Sequence, residues 1–215
     1  MLMNPQIAPG QQALESLELA DYRRRVSDLY AQVRGASPLE GWKKWRTGRD
    51  LLFAEHPQTP IEPDDRPAFR GLDYYPYDPA YRVEAVVEKA EPWSGSISHS
   101  ADGSTPFRRI GGVGLDLPGG QVTMSLYWLD TYGGGLFLPF RDGTAGETTY
   151  RGGRYLLDTA KGADLGTAGD SLVLDFNFAY HPSCVYSWSW SCPLAPADNQ
   201  VDVPIEAGER LASTL

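Results

Sequence analysis

The chain has little with which to build a cross-linked or metal-rich protein. Its 215 residues include two cysteines and three histidines, too few thiols for the dense disulfide framework of small secreted scaffolds. Basic residues are also scarce: 19 Lys and Arg stand against 28 Asp and Glu, a formal charge of −9. Neutralising a phosphate backbone needs an excess of cations, so the balance argues against a nucleic-acid partner. It argues equally against docking on an anionic membrane surface. No apolar run reaches the roughly 20 residues of a membrane-spanning helix. The opening residues MLMNPQIAPGQQ carry no basic segment followed by an apolar one, so no secretory leader is expected. The expectation is a cytoplasmic protein with free thiols. Also missing are the Gly-x-Ser-x-Gly elbow, His-Glu-x-x-His, an EF-hand loop and a Walker sequence, which removes several common enzyme classes.

What is present divides the chain in two. After a frayed start over residues 1–10, apolar residues recur at Leu14, Leu17, Leu19, Tyr22, Val26, Leu29, Tyr30 and Val33, the spacing of an amphipathic helix, with Gly35 as its stop. Ser37, Pro38 and Glu40 then read as a capping box opening a second helix. That helix carries Trp42, Trp45, Leu52 and Phe53 on one side, with Lys43, Lys44, Arg46 and Arg49 around them, and ends near His56-Pro57. Residues 11–56 thus form a helical arm. Four prolines within residues 57–67 make a linker or extended wrap.

From residue 68 to 212, short strand-like runs alternate with Gly, Pro and Asp turns: 82–88, 107–116, 122–128, 135–140, 154–158 and 171–178. No βαβ alternation appears. The expected fold is mainly β with an N-terminal helical pair, an antiparallel β-barrel or sandwich. The glycines at 111–114 and 132–135 open no helix and lack a P-loop lysine, so they read as bulge and turn residues. Leu117-Pro118-Gly119-Gly120 reads as a hairpin connection.

The chemically capable groups concentrate between Arg141 and Cys192. Arg141 and Arg154 offer planar forks of donors for an anionic group, beside Asp142 and Tyr150; the alternative is a structural ion pair with Asp142 or Asp175. Strand alternation places Asp175 and Asn177 on one face, near Tyr180, where Asp175 serves as acid or base or else binds the next turn. Trp188 and Trp190 are candidates for an aromatic pocket wall, or for core. His181, Cys184 and Cys192 admit three readings. They are a zinc site, although the spacing lacks a C-x2-C knuckle; a His-activated thiol; or a structural pair, buried or joined across a loop.

Several of these pieces together resemble a bacterial and archaeal family known as domain of unknown function 1684. The resemblance rests on Phe69-Arg70-Gly71-Leu72-Asp73-Tyr74-Tyr75, Pro139-Phe140-Arg141-Asp142-Gly143-Thr144, Gly152-Gly153-Arg154-Tyr155, Asp175-Phe176-Asn177, Tyr180-His181-Pro182-Ser183-Cys184, Cys192-Pro193-Leu194 and Ala207-Gly208-Glu209. With Trp45-Arg46 to Asp50 it covers most of residues 40–210. The resemblance implies a mostly-β domain and no activity. The family more often has Asn where this chain has His181, so a mechanism that requires an imidazole there is not the family's general one. That shifts weight to Arg141, Asp142, Tyr150, Arg154, Asp175, Asn177 and Tyr180.

The expected function is an enzyme acting on a small polar or anionic metabolite, with Asp175, Tyr180 and Arg154 catalytic and Arg141, Asp142, Tyr150, Asn177, Trp188 and Trp190 binding. The alternatives are a non-catalytic small-molecule-binding module and a structural metal site at His181, Cys184 and Cys192.

Overall fold

Two helices form where the apolar spacing asks for them. In the computed structural model, which describes residues 9–212, α1 spans Pro9–Arg34 and α2 spans Pro38–Glu55. The expected frayed start lies outside the described residues up to residue 8; Pro9 and Gly10 already belong to α1. The capping box does not form. Ser37 holds the extended N-cap conformation with Pro38 behind it, but its hydroxyl makes no capping bond, and Glu40 pairs with Lys43 at 2.8 Å instead. The main chain opens the helix: the Gly41 amide donates to the Ser37 carbonyl at 2.7 Å.

The proline-rich segment wraps back on α2. Thr59 is buried and donates its hydroxyl to the Phe53 carbonyl at 2.7 Å, occupying one of the carbonyls a helix end leaves unpaired.

Beyond it run eight strands: β1 Arg82–Val86, β2 Trp93–Ser98, β3 Ser104–Leu117, β4 Gly120–Leu129, β5 Leu136–Phe140, β6 Arg154–Asp158, β7 Thr167–Ala168 and β8 Ser171–Asp175. They make two antiparallel sheets, ordered β1-β8-β7 and β2-β3-β4-β5-β6. Neither closes on itself among the described residues, so of the two expected architectures the sandwich describes the molecule and the barrel does not.

Turn chemistry sets the register. β3 and β4 are joined by Pro118-Gly119, with Leu117 opposite Gly120. The register of this pair shifts between Arg109 and Gly111, at the glycine run read as a bulge. There Gly112 exchanges backbone hydrogen bonds with Glu88 at 2.8 and 2.9 Å, tying the end of β1 to β3. The run expected over 171–178 stops at Asp175, where the chain turns into a 3-10 helix, Phe176–Phe178. β2 was not among the expected strands: of Trp-Ser-Gly-Ser-Ile-Ser only Ile97 is buried, too little alternation to mark it.

Two apolar cores result. Val113, Leu115, Met124, Leu126, Leu138, Phe140, Leu156, Leu174 and Phe176 fill the space between the sheets. On the other face of the five-stranded sheet, Tyr127, Phe137 and Tyr155 pack with Tyr30, Trp42, Trp45 and Phe178 beneath the helices. β6 is therefore buried at every position, as expected of a strand covered on both faces. Trp45 is the hub of the second core. It is fully buried, donates its indole N–H to the Tyr30 hydroxyl at 3.1 Å, and meets Tyr74 and Phe178 at centroid distances of 5.4 and 5.1 Å. The N-terminal half of α1 is less covered: Leu14 and Leu17, expected on the apolar face, are 56% and 70% exposed.

Trp45→Ala is expected to destabilise the protein by roughly 3–5 kcal/mol, whereas Leu17→Ala changes stability by no more than about 0.5 kcal/mol. Urea unfolding of the two variants measures both; comparable losses would contradict the packing described.

Candidate functional site

The sequence-predicted residues do not converge on one place. Arg154, at the start of β6, is completely buried. Its Nη1 donates to the carbonyls of Ala207 (2.5 Å) and Glu209 (3.2 Å), and its Nη2 to that of Ile205 (2.8 Å) and to Asp142 Oδ1 (3.3 Å). Asp142 is buried as well, and its other oxygen accepts from the Ile205 amide at 2.7 Å and the Thr144 hydroxyl at 2.8 Å. This pair binds the backbone of residues 205–209, as a neighbouring strand would, and leaves no fork free for a ligand. Burial draws the Arg154 pKa down against the pull of Asp142.

Asp175 and Asn177 form a second, separate network. Asp175 caps the 3-10 turn by accepting from the Asn177 amide (3.0 Å) and side chain (2.8 Å), with Arg82 at 3.3 Å. Asn177 exchanges hydrogen bonds with the backbone of Asp78 at 2.7 and 2.9 Å, and its carbonyl accepts from Trp42 Nε1 at 3.1 Å. Burial raises the Asp175 carboxyl, against the opposing hydrogen bonds. The turn-binding reading of these residues is what the geometry supports. Arg141 is exposed, with its Nε on the Arg151 carbonyl at 3.0 Å. Trp188 is 89% exposed, so it walls no pocket, and Trp190 is only partly covered.

Tyr180 alone of the expected catalytic residues lines a cavity. That cavity, about 50 Å³, lies between the helical arm and the loops after β6 and β8. α1 supplies Tyr22, Val26, Leu29 and Tyr30; α2 supplies Trp45, Arg49, Leu52 and Phe53; Lys161, Ala163, His181 and Ser183 complete it. Tyr22 and Tyr30 lie about one turn either side of Val26 on the inward stripe of α1, and Arg49 follows Trp45 by four residues on that of α2.

The floor is a clamp of buried charge. Glu209, wholly buried, accepts from Arg49 Nη2 at 2.6 Å and from the His181 amide at 3.0 Å. Arg49 also donates its Nε to the Tyr74 hydroxyl at 3.3 Å and stacks against Trp45 and Tyr180 at 5.1 and 4.9 Å. Burial pushes the Glu209 carboxyl up, but the charge of Arg49 and the bonds from His181 outweigh it and hold it below the ordinary range. Gly208 makes room for the turn: its φ is +79°, and a Cβ would lie 2.6 Å from the carbonyl oxygens of Ala179 and Phe176.

His181 accepts a hydrogen bond at one nitrogen and turns the other towards a carboxylate. The Tyr150 amide donates to Nε2 at 3.2 Å, so the ring proton sits on Nδ1, 3.5 Å from Glu209 Oε1. An asparagine offers the same pair of roles, an amide oxygen for Tyr150 and an amide N–H for Glu209. Among the described residues no group of three or more His, Cys, Asp or Glu is placed to hold a metal.

At the mouth, Lys161 is 42% exposed and pairs with Asp158 at 2.7 Å; the Tyr180 hydroxyl reaches the same carboxylate at 3.5 Å. Burial raises the phenols of Tyr22, Tyr30 and Tyr180, which therefore stay protonated. The sequence reading gives no site role to Lys161, Tyr22, Tyr30 or Ser183, and places Arg49 only on the basic face of the second helix. Of these only Arg49 carried a usable signal, a cation at the i+4 position from a core tryptophan.

The comparisons with known proteins follow this architecture. The model of a family described as Protein of unknown function (DUF1684) matches residues 67–210. An uncharacterized protein of Haloarcula marismortui, solved in solution by NMR, is 38% identical with a TM-score of 0.58, covering 81% of this chain and 96% of that one. No curated protein matches. Among the described residues no helix is long and apolar enough to cross a membrane.

Two outcomes test the clamp. His181→Asn can keep an acceptor for the Tyr150 amide and is expected near wild-type stability, while His181→Leu orphans that amide and loses about 1–3 kcal/mol more in urea unfolding. Because the folded Glu209 pKa lies below its unfolded value, its contribution is complete above the ordinary value of 4.5 and is lost as pH falls through the folded one. As pH falls from 4.5 towards that lower value, the melting temperature of wild type should fall more steeply than that of Glu209→Gln; parallel curves would show that Glu209 carries no such linkage.

Proposed function

The chain belongs to the DUF1684 family, and we propose that it is a binding protein for a small, acceptor-rich metabolite carrying a carboxylate or a similarly compact anionic group. The observation that carries this reading is the donor inventory of the cavity between the arm and the sheets. Arg49, Lys161 and the phenols of Tyr22, Tyr30 and Tyr180 all line it. Arg49 uses Nε and Nη2 internally, and its Nη1 makes no hydrogen bond among the described residues. The phenols of Tyr22 and Tyr30, kept protonated by burial, offer hydroxyls to an oxygen-bearing ligand. Both cations are balanced, by Glu209 and Asp158, so the cavity has no large net charge. It attracts an anion by aimed donors rather than by field.

Size narrows the ligand. A cavity of about 50 Å³ accepts the head of a small molecule, not the body of a drug-sized one, whose pockets run from about 300 Å³ upward. The remainder of the ligand would leave past Lys161, at the rim. The binding reading is preferred to the catalytic one because Asp175, Arg154 and Tyr180 are tied into separate hydrogen-bond networks. His181, the one imidazole of the cavity, is occupied at Nε2 and faces Glu209 with Nδ1.

A thermal-shift screen of small carboxylates and phosphates is expected to find compounds that raise the melting temperature, the stabilisation reaching about 2.7 kcal/mol at a hundredfold excess over Kd. Lys161→Ala, at a half-exposed rim position, should fold normally and lose most of that shift. No stabilising anion, or an undiminished shift in Lys161→Ala, would count against the proposal.

A further inference from the structure

Beside the cavity, and independent of its ligand, lies a pair of thiols. Cys184 is in the 3-10 turn Ser183–Val185 and is partly exposed, whereas Cys192 is buried. Though eight residues apart, their side chains lie within interaction range of each other. The hydroxyls of Ser100 and Tyr150 stand beside the Cys184 sulfur as well. Ser100 fixes the partner strand: the Cys192 amide donates to its Oγ at 3.2 Å, and its own amide donates to the Cys192 carbonyl at 2.8 Å. Leu194 continues the pairing with Ser98 at 2.9 Å. The backbone of the buried cysteine is thus held on a ladder, and the accessible one lies on a single turn. Tyr150 is held through its own amide by His181, so the hydroxyl beside Cys184 is positioned from the cavity floor.

We propose that Cys184 and Cys192 form a thiol–disulfide exchange centre, with Cys184 the attacking thiol, Cys192 the resolving thiol and a low-molecular-weight disulfide the oxidant. The Cys184 thiolate attacks one sulfur of the external disulfide. That S–S bond breaks, its electron pair leaves on the departing thiolate, which takes a proton, and a mixed disulfide forms on Cys184. Cys192 then gives up its proton and attacks the Cys184 sulfur, closing the internal bond and expelling the second thiolate. In sum the protein dithiol and one external disulfide become a protein disulfide and two external thiols. The asymmetry of the pair fits these roles. Hydrogen bonding to Cys192 holds the Cys184 thiol below its ordinary value, while Cys192, which gives that bond and is more buried, is pushed above its own. A lower pKa on the accessible member and a proton retained by the buried one is the division that exchange requires.

The test uses the full chain, reduced and then incubated with excess oxidised glutathione. Free thiols are titrated after denaturation, and intact mass is read for adducts. Wild type is expected to lose both thiols and to carry no glutathione, the product of resolution. Cys192→Ser should stop at a glutathione adduct on Cys184, and Cys184→Ser should keep its thiol free. Circular dichroism establishes that each variant is folded, and the wild-type result stands without them. Two thiols surviving in wild type, or an adduct that does not resolve, would overturn the proposal. Equal adduct formation on both variants would overturn the assignment of roles.

Discussion

The buried carboxylate of Glu209 is the contact on which the other parts depend. Four separate pieces of chain meet at that residue. Its side chain takes Arg49 from α2 and the His181 amide from the loop after β8, its Oε1 faces the His181 ring, and its backbone carbonyl takes Arg154 from β6. A charge at zero exposure is costly to desolvate, and removing one member leaves the other uncompensated in low dielectric. The arrangement is therefore close to all-or-none. Without Glu209, Arg49 is a buried cation under the helical arm; without Arg49, the carboxylate has no charged partner of comparable reach.

That clamp also explains why the cavity is polar inside an apolar core. The ring stack of Trp45, Tyr74, Phe178 and Tyr180 would close the space between arm and sheets entirely if α2 presented only hydrocarbon. Arg49 interrupts the stripe, and its guanidinium lies against two of the stack's rings. Polar groups that the clamp does not consume then face the gap. The cavity's chemistry is thus a by-product of how the arm is attached, and the binding reading follows from the same atoms as the fold.

The sequence carried the architecture well and the site poorly, for physical reasons. Helix spacing, the Pro118-Gly119 hairpin and the bulge at Gly111 are local signals, written within a few residues of what they cause. β2 escaped because its stability comes from pairing with β3, not from its own alternation. The site residues are a different case. Density of Arg, Asp and Tyr between residues 141 and 192 was read as chemistry, yet Arg154, Asp142, Asp175 and Asn177 satisfy backbone groups of distant or turning segments. A polar residue that serves a neighbour's main chain and one that serves a ligand look alike in one dimension. Conversely, Arg49 and Lys161 become neighbours only when α2 meets the loop after β6, a juxtaposition no spacing announces.

The span of the Arg49–Glu209 contact, 160 residues, has a meaning for how the protein comes into being. α1 and α2 are made first, and can curl and pair as soon as they are free, since helices need only nearby partners. Their attachment to the sheets waits for a carboxylate made much later, and Arg154 likewise waits for carbonyls more than fifty residues downstream. Contacts this distant close slowly. During synthesis the tryptophans of the arm meet their partners Tyr74 and Phe178 first, and Arg49 lacks its carboxylate until residue 209 has been added. The order of the chain makes the last of these pieces the one that locks the first.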